Sequence, residues 1–424
     1  MKELRNKVIY QVFPRQYSST HDFNGVIKDL DRIKDLNVDY VYLLPIHPIG
    51  EVARKGSIGS PYSIKDYRSI NKDYGSASDF MKLVNECHKR GMKVIMDIVF
   101  NHTSKDNILT ELHPEWYILD EEGNFKNRVG DWSDITDFNF ELEETYAYLI
   151  NTLKMYINMG VDGFRCDVAP MIPFDFWKIA ISICKDLKND IIFIGESVDA
   201  AFIKYLRDEG YEVSSDGELF NLFDALYDYD IYKYLEDYFK GKGSLNRYLE
   251  EVLLQEGRFR SDYCKMRYLD NHDFGSAYDL VKDKNKVMNA LGMLSFFKGM
   301  FFIYNGLECL VDHKLDLFEI DEINWNELDE DIVSLLKKLT NFKKKDIFID
   351  GKFNVDFLNE NAATLSLNNK EESYYGVFNF DYSKDINVNL KDGEYLDILS
   401  NELVVVKDSI FKCSDKPLIL KLEI

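Results

Sequence analysis

No stretch of this 424-residue chain holds roughly 18 uninterrupted apolar residues, so it offers no membrane-spanning helix. The longest apolar candidate, residues 291–304, is interrupted by Lys298 and reads as a buried helix running into a strand. No secretory leader is expected either, because Lys2, Glu3, Arg5, Asn6 and Lys7 break the segment where an apolar core would have to lie. The cysteines Cys87, Cys166, Cys184, Cys264, Cys309 and Cys413 form no CxxC pair and show no metal-ligand spacing. Their apolar surroundings predict free, buried thiols and, with no leader expected, a reducing, cytoplasmic setting. Basic side chains are outnumbered, 52 Lys and Arg against 74 Asp and Glu, for a formal charge of −22. That balance opposes phosphate backbones and anionic membranes, so neither nucleic acid nor a membrane is expected as partner; a neutral polymer meets no such penalty. No repeat or disordered linker is present, and nothing signals an oligomeric state.

What the chain does have is length and apolar content. At 46% apolar residues it is a folded protein, and 424 residues exceed what one core usually accommodates, so more than one domain is expected. Its first three quarters alternate β-rich runs with amphipathic helical runs. Strands are predicted over residues 8–12, 40–44, 94–99, 161–166 and 191–194, and helices over 25–36, 77–90, 142–159 and 174–187. Weaker signals place a sixth strand within 217–223, a seventh at 266–269 and an eighth at 301–304. This α/β rhythm predicts a parallel sheet, and eight units over this length match a closed TIM (β/α)8 barrel, residues 1–344. The connection after strand three is too long for a simple βα loop and carries Trp116, Tyr117 and Trp132, so a small lobe inserted after strand three is expected over 103–139. Its aromatic residues read equally as an outer ligand-binding wall or as the lobe's own core. Beyond Lys345, short alternating segments at 363–367, 373–378, 386–390 and 418–424 predict a C-terminal antiparallel β-sandwich domain, residues 345–424.

Polar residues gather at the C-terminal ends of these strands: Asp97, Asn101 and His102 after the third, Arg165 and Asp167 at the fourth, Glu196 after the fifth, His272 and Asp273 after the seventh. In a closed barrel that end carries the chemistry. Arg165 and Asp167 are two apart and share a strand face, so the guanidinium can hold a neighbouring carboxylate ionised. Crowding by other carboxylates raises the pKa of Glu196 and lets it begin as a proton donor. A nucleophilic carboxylate beside a protonated one is the equipment of a retaining glycosidase, in which the two groups lie about 5 to 5.5 Å apart.

Four segments in order then carry a resemblance: DIVFNH at 97–102, GVDGFRCDVAP at 160–170, IGES at 194–197 and YLDNHD at 268–273. VIYQVFPR at 8–15, KGSIGSPYSIKDY at 55–67, TDFNF at 136–140 and FIYNGLE at 302–308 support it. Over nearly its whole length the chain resembles the α-amylase family of retaining glycoside hydrolases. The resemblance implies that Asp167 is the nucleophile, Glu196 the general acid and base, and Asp273 the third carboxylate gripping sugar hydroxyls. It implies that His102 and His272 hydrogen-bond the cleaved glucose, that Arg165 stands beside the nucleophile, and that Tyr62 is a platform beneath that sugar. His47, after strand two, is expected at the mouth of the pocket, whereas His21, His88, His113 and His313 read as surface or structural. Asp97 is expected to orient its neighbours.

No cofactor is required for such chemistry. A structural calcium ion is a further implication, with Asn101 the candidate ligand and Asp131, Asp134 and Asp137 candidate partners in the lobe, although no contiguous loop supplies the six to eight oxygens such an ion takes. The expected substrate is an α-glucan or maltooligosaccharide, and the expected reaction is hydrolysis of α-1,4-glucosidic bonds in maltodextrins or starch fragments through a covalent glucosyl-enzyme intermediate. An intracellular α-glucosidase, an α-glucan transglycosylase or an isomerising enzyme would share all three carboxylates. A catalytically silent carbohydrate-binding scaffold would tolerate losing one, and none is lost. Two departures bear on substrate. Pro170 and Met171 stand where many starch-cleaving relatives carry Lys-His, and Phe274, Gly275 and Ser276 follow Asp273 where many exo-acting glucosidases place an arginine.

Overall fold

The structure is a computed structural model in which residues 1–423 are described. Eight parallel strands close a barrel: β1 (Val8–Val12), β2 (Tyr40–Leu43), β3 (Lys93–Ile98), β4 (Gly163–Cys166), β5 (Ile192–Gly195), β6 (Ala225–Tyr227), β7 (Lys265–Arg267) and β8 (Met300–Tyr304). Each pairs with its neighbours in sequence, and β1 closes the ring on β8 in the register Val8↔Phe301 through Gln11↔Tyr304. Helices cover the outside, so the strands are buried on both faces and read as nearly continuous apolar runs.

The two-residue repeat inside the barrel is what builds the site. Ile9, Tyr42, Ile95, Ile194, Tyr227, Met266 and Phe302 point inward and form a core distinct from the one between strands and helices. The next inward positions toward the C-terminal ends are polar: Gln11 on β1, Asp97 on β3, Arg165 on β4 and Glu196 just past β5. Apolar packing below therefore fixes the bases on which the charged groups stand. Gly299 lets the chain enter β8 close against β7: at φ +129°, a Cβ there would lie 2.4 Å from the carbonyl oxygen of Lys265.

The sixth strand differs from expectation. Residues 216–219 form a short helix (Asp216–Leu219), capped by reciprocal hydrogen bonds between Ser215 and Glu218, and the strand follows at Ala225–Tyr227. The expected helix over 25–36 is two helices, Phe23–Lys28 and Leu30–Asp35, broken at Asp29, whose carboxylate accepts from Tyr17 (2.6 Å) and Arg32 (2.8 Å).

After β3 the chain forms a lobe around an antiparallel hairpin of His102–Ser104 with Ile135–Asp137. Beyond the barrel, eight strands, β9 (Lys352–Asp356), β10 (Ala362–Asn368), β11 (Ser373–Asn379), β12 (Ile386–Asn387), β13 (Gly393–Asp397), β14 (Glu402–Lys407), β15 (Ile410–Phe411) and β16 (Leu418–Leu422), join in the order β9-β10-β11-β16-β13-β14-β15-β12. The sheet folds over itself: Ala362, Tyr375, Val377 and Leu420 of one layer meet Ile386, Val406 and Phe411 of the other, so the sandwich is continuous in its hydrogen bonding. It packs directly on the barrel helix Lys284–Phe296, where Phe296 meets Phe378 and Asn289 accepts from the amide of Asn379. Residue 424, the end of the expected last segment and of the expected domain 345–424, lies outside the described residues.

Cys87, Cys166, Cys184 and Cys264 are buried, Cys309 and Cys413 half-buried, and all six are unpaired. Titration under denaturing, non-reducing conditions is expected to count six thiols; three reproducible disulfides in protein from its native cells would contradict it.

Candidate active site

Arg165 is the hub. Its Nη1 lies 2.9 Å from Asp97 and 2.8 Å from Asp167, and its Nη2 lies 2.8 Å from Glu196, so one buried guanidinium holds three carboxyl groups. It reaches Asp97 and Asp167 as a hydrogen-bond donor, whereas its approach to Glu196 is a charge contact without hydrogen-bond alignment. Asp97 accepts in addition from the hydroxyls of Tyr42 (2.6 Å) and Tyr62 (2.8 Å).

Burial raises the carboxyl of Asp167 above the ordinary aspartate range against the opposing pull of Arg165, and the charge of Asp97 adds to the rise. Burial likewise pushes Glu196 far up, again against Arg165 and with the charges of Asp167 and Asp273 contributing. One guanidinium cannot balance three carboxylates, so the cluster retains a proton. Asp97 and Asp167 receive the aligned donors and are the better anions, which leaves the proton on Glu196.

The backbone between these groups is bent to serve them. Val168 adopts a left-handed conformation (φ 36°, ψ 47°), costly for a β-branched residue at about 1 to 3 kcal/mol, and its N–H donates to Glu196 Oε2 at 2.6 Å. Beyond β7, Asn271 accepts from the amides of Asp273 and Phe274 and donates to the hydroxyl of Tyr229, which donates to Asp273 Oδ2 at 2.6 Å. Burial opposes ionisation of Asp273, but His272, Arg165 and that tyrosine outweigh it and hold the carboxyl below its usual range.

A single chain of donors fixes the tautomer of His272. Because Tyr62 donates to Asp97, its oxygen must accept from His272 Nε2 (2.5 Å), leaving Nδ1 to accept from Gln11 Nε2 (2.9 Å). Burial lowers His272 to about 4, in keeping with a neutral ring. His102, likewise lowered by burial to about 4, stands beside the Trp132 ring at 5.5 Å.

Tyr62, His102, Trp132, Asp167, Glu196 and Asp273 line one cavity of about 250 Å³, with Lys55, Asp134 and Phe318 completing its wall. A larger hollow of about 710 Å³ near Lys2, Arg260 and Phe353 contains none of these groups. His47 is not at the mouth: it is buried between Tyr67 and Tyr156 and bonds the carbonyl of Ser69 and the hydroxyl of Tyr156, a packed core histidine. The lobe's aromatic residues divide, Trp116 and Tyr117 filling its core while Trp132 faces the cavity. Gln11, Tyr42 and Tyr229 were not singled out by sequence. Gln11 lay within a supporting motif, but the two tyrosines sit in runs with no distinguishing signal.

The oxygens implied for a calcium ion do not fit one. Asn101 Oδ1 and the Asp137 carboxylate already receive the guanidinium of Arg128, Asp134 pairs with Lys55 at 3.1 Å, and the carbonyl of Asp131 accepts from Lys55. No cluster of three or more His, Cys, Asp or Glu arranged for a metal occurs among the described residues.

Comparison with known proteins agrees with the barrel and its appended sandwich. The family described as "Alpha amylase, catalytic domain" matches residues 11–132 and 112–348, and "Bacterial Alpha amylase C-terminal domain" matches 354–420. The crystal structure of an alpha-amylase from Lactobacillus plantarum superposes with a TM-score of 0.95 at 38% identity, covering 100% of both chains. A noncanonic maltogenic alpha-amylase, AmyB from Thermotoga neapolitana, gives 0.87 at 31% identity over 99% of each chain. An alpha-1,4-glucan:maltose-1-phosphate maltosyltransferase of Picrophilus torridus is 27% identical over 363 residues, 79% of this chain, which spans only 54% of that protein's length.

Proposed function

This chain belongs to the α-amylase family, and from that premise we propose that it hydrolyses α-1,4-glucosidic bonds of short maltooligosaccharides with retention of configuration. The observation that carries the reading is the grip of one guanidinium on Asp167 and Glu196, both within 2.8 Å of it at the wall of a single cavity. Asp167 attacks the anomeric carbon while Glu196 passes its proton to the departing glycosidic oxygen. Glu196, now ionised, takes a proton from water, which displaces Asp167 and restores the α configuration. Asp273, kept anionic, accepts hydrogen bonds from sugar hydroxyls and steadies the positive charge that develops on the ring. Neutral His102 can donate to a hydroxyl without repelling that charge, and neutral His272, its one N–H committed to Tyr62, holds that ring in place. A cytoplasmic setting belongs to the same proposal, supported by the six unpaired cysteines.

Short substrates are favoured because the cavity is bounded. Lys55 bridges to Asp134 and to the carbonyl of Asp131, while the amides of Ile58 and Gly59 donate to Phe318 O and Ser57 bonds Glu319, tying one loop both to the lobe and to the segment after β8. The same ties favour release from a chain end over internal cleavage, and this is the second reading. A ladder of end-labelled linear maltooligosaccharides, followed over time beside insoluble starch, separates the two by the first products formed. We expect higher kcat/KM on a soluble oligomer of about six units than on starch per accessible chain, and the α-anomer as first product by proton magnetic resonance. An initial β-anomer would sink the retaining mechanism; products longer than the substrate would replace hydrolysis by transfer.

A further inference from the structure

Three segments that the barrel brings together meet at one side chain outside the catalytic cluster. Arg128, in the lobe, donates from Nε to Asp137 Oδ2 at 2.8 Å, from Nη1 to the carbonyl of Met171 at 2.9 Å, and from Nη2 to Asn101 Oδ1; its own amide reaches Asp137 Oδ2 at 3.0 Å. Asn101 follows β3, Asp137 ends the lobe hairpin, and Met171 closes the short turn Ala169–Met171 that follows Asp167. Arg128 is 10% exposed and Asp137 1%. The partners present only oxygen atoms, one of them a buried carboxylate, so the space between them demands a cation.

We propose that the guanidinium of Arg128 is that cation: a permanent, covalently attached counterpart of a structural metal ion, which locks the lobe onto the loop behind the nucleophile and makes this chain independent of calcium. The planar fork suits the task. It sends separate N–H bonds to three oxygens that diverge from one another, whereas an ammonium is a compact point charge. A calcium ion would need the same oxygens converging on a common centre, with others added to complete its shell. The guanidinium occupies that centre and repels a second cation, so the two occupants are mutually exclusive. The charge is always present, because arginine does not deprotonate in proteins, and chelators cannot remove it.

The test begins with the full-length wild-type protein, read without any glucan. Calorimetric titration with calcium chloride is expected to show no binding, and a calcium chelator is expected to leave both Tm and the rate of proteolytic cutting within residues 103–139 unchanged. In Arg128→Ala the Asp137 charge stays buried and unpaired; Tm should fall by about 5 °C or more, and cutting within the lobe should accelerate by about tenfold or more. Sub-denaturing guanidinium should then bind the emptied cradle and recover a measurable part of both losses, which a mere packing defect would not allow. Arg128→Lys should recover less than guanidinium does, since one ammonium cannot bond all three oxygens. Stoichiometric calcium binding by the wild type with a rise in Tm would overturn the proposal, as would an Arg128→Ala protein with unchanged Tm and cutting rate. Should that variant not fold, the wild-type calcium and chelator measurements decide by themselves.

Discussion

Asp167→Asn is expected to lower kcat on maltooligosaccharides by roughly 10⁴-fold or more, and Glu196→Gln by roughly 10² to 10⁴-fold, with the fold retained in both. The asparagine side chain would still accept from Arg165 Nη1 but offers no anion to attack the sugar. The glutamine side chain would still accept from the amide of Val168 through its carbonyl oxygen, so the local backbone is preserved, but it has no proton to give the departing oxygen. The two variants separate on substrates with activated leaving groups, which depart without protonation. The glutamine variant should regain much of its rate in the first step there, and the asparagine variant should not. Turnover on purified oligosaccharides, with thermal unfolding as the control on structure, checks both; near-wild-type kcat in either would remove that residue from its assigned role.

Arg165→Met should be nearly as damaging to activity, by roughly 10²- to 10³-fold, because it withdraws the charge that favours the anionic form of Asp167. Unlike the carboxylate variants, it should also destabilise the fold at neutral pH, by about 3 to 5 kcal/mol, the usual consequence of leaving buried charge uncompensated. The pH dependence distinguishes this from lost packing. Burial raises Asp167 and Glu196 in the folded state, and Arg165 is the group that opposes that rise. Without it both carboxyls titrate higher still when folded than when unfolded. Folding then binds protons, so the stability they contribute is greatest below the unfolded carboxylate range and is lost as pH climbs through the folded values. Denaturant unfolding of wild type and variant across a pH series should therefore show a gap that is flat through mild acid and widens as pH climbs through about 7, where folded wild-type Asp167 gives up its proton and the variant does not; a gap constant with pH throughout would reduce Arg165 to a packing residue.

Much of this was readable in the residues before the fold was. Long apolar strands such as β1, β3 and β8 announce themselves, and helix Phe174–Leu187 coincides with its expected span because its apolar stripe is uninterrupted. Strands β6 and β7 are three residues each, too short for any alternation to register, and near β6 the apolar residues Leu219, Phe220 and Phe223 belong to a capped helix and the turn after it. The groups at the strand ends were legible because charge at the end of an apolar run is conspicuous. Arg128 was not: one arginine among several in a polar lobe acquires its meaning only when Asn101, Asp137 and Met171 converge on it from separate segments. His47 erred in the opposite direction, since its position after a strand pointed to the mouth while Tyr67 and Tyr156 enclose it.

The seam between β1 and β8 has a consequence for how the protein comes into being. Gln11, which sets the proton position on His272, stands on the first strand made, yet that strand finds its second neighbour only once the chain has been synthesised as far as Tyr304. Until then β1 carries an exposed edge beside an unfinished sheet, the kind of intermediate that associates with other chains and folds slowly. Competence and closure are thus a single late event. On refolding from denaturant, helical signal should return first, and turnover should appear together with the protection of β1 amides from exchange.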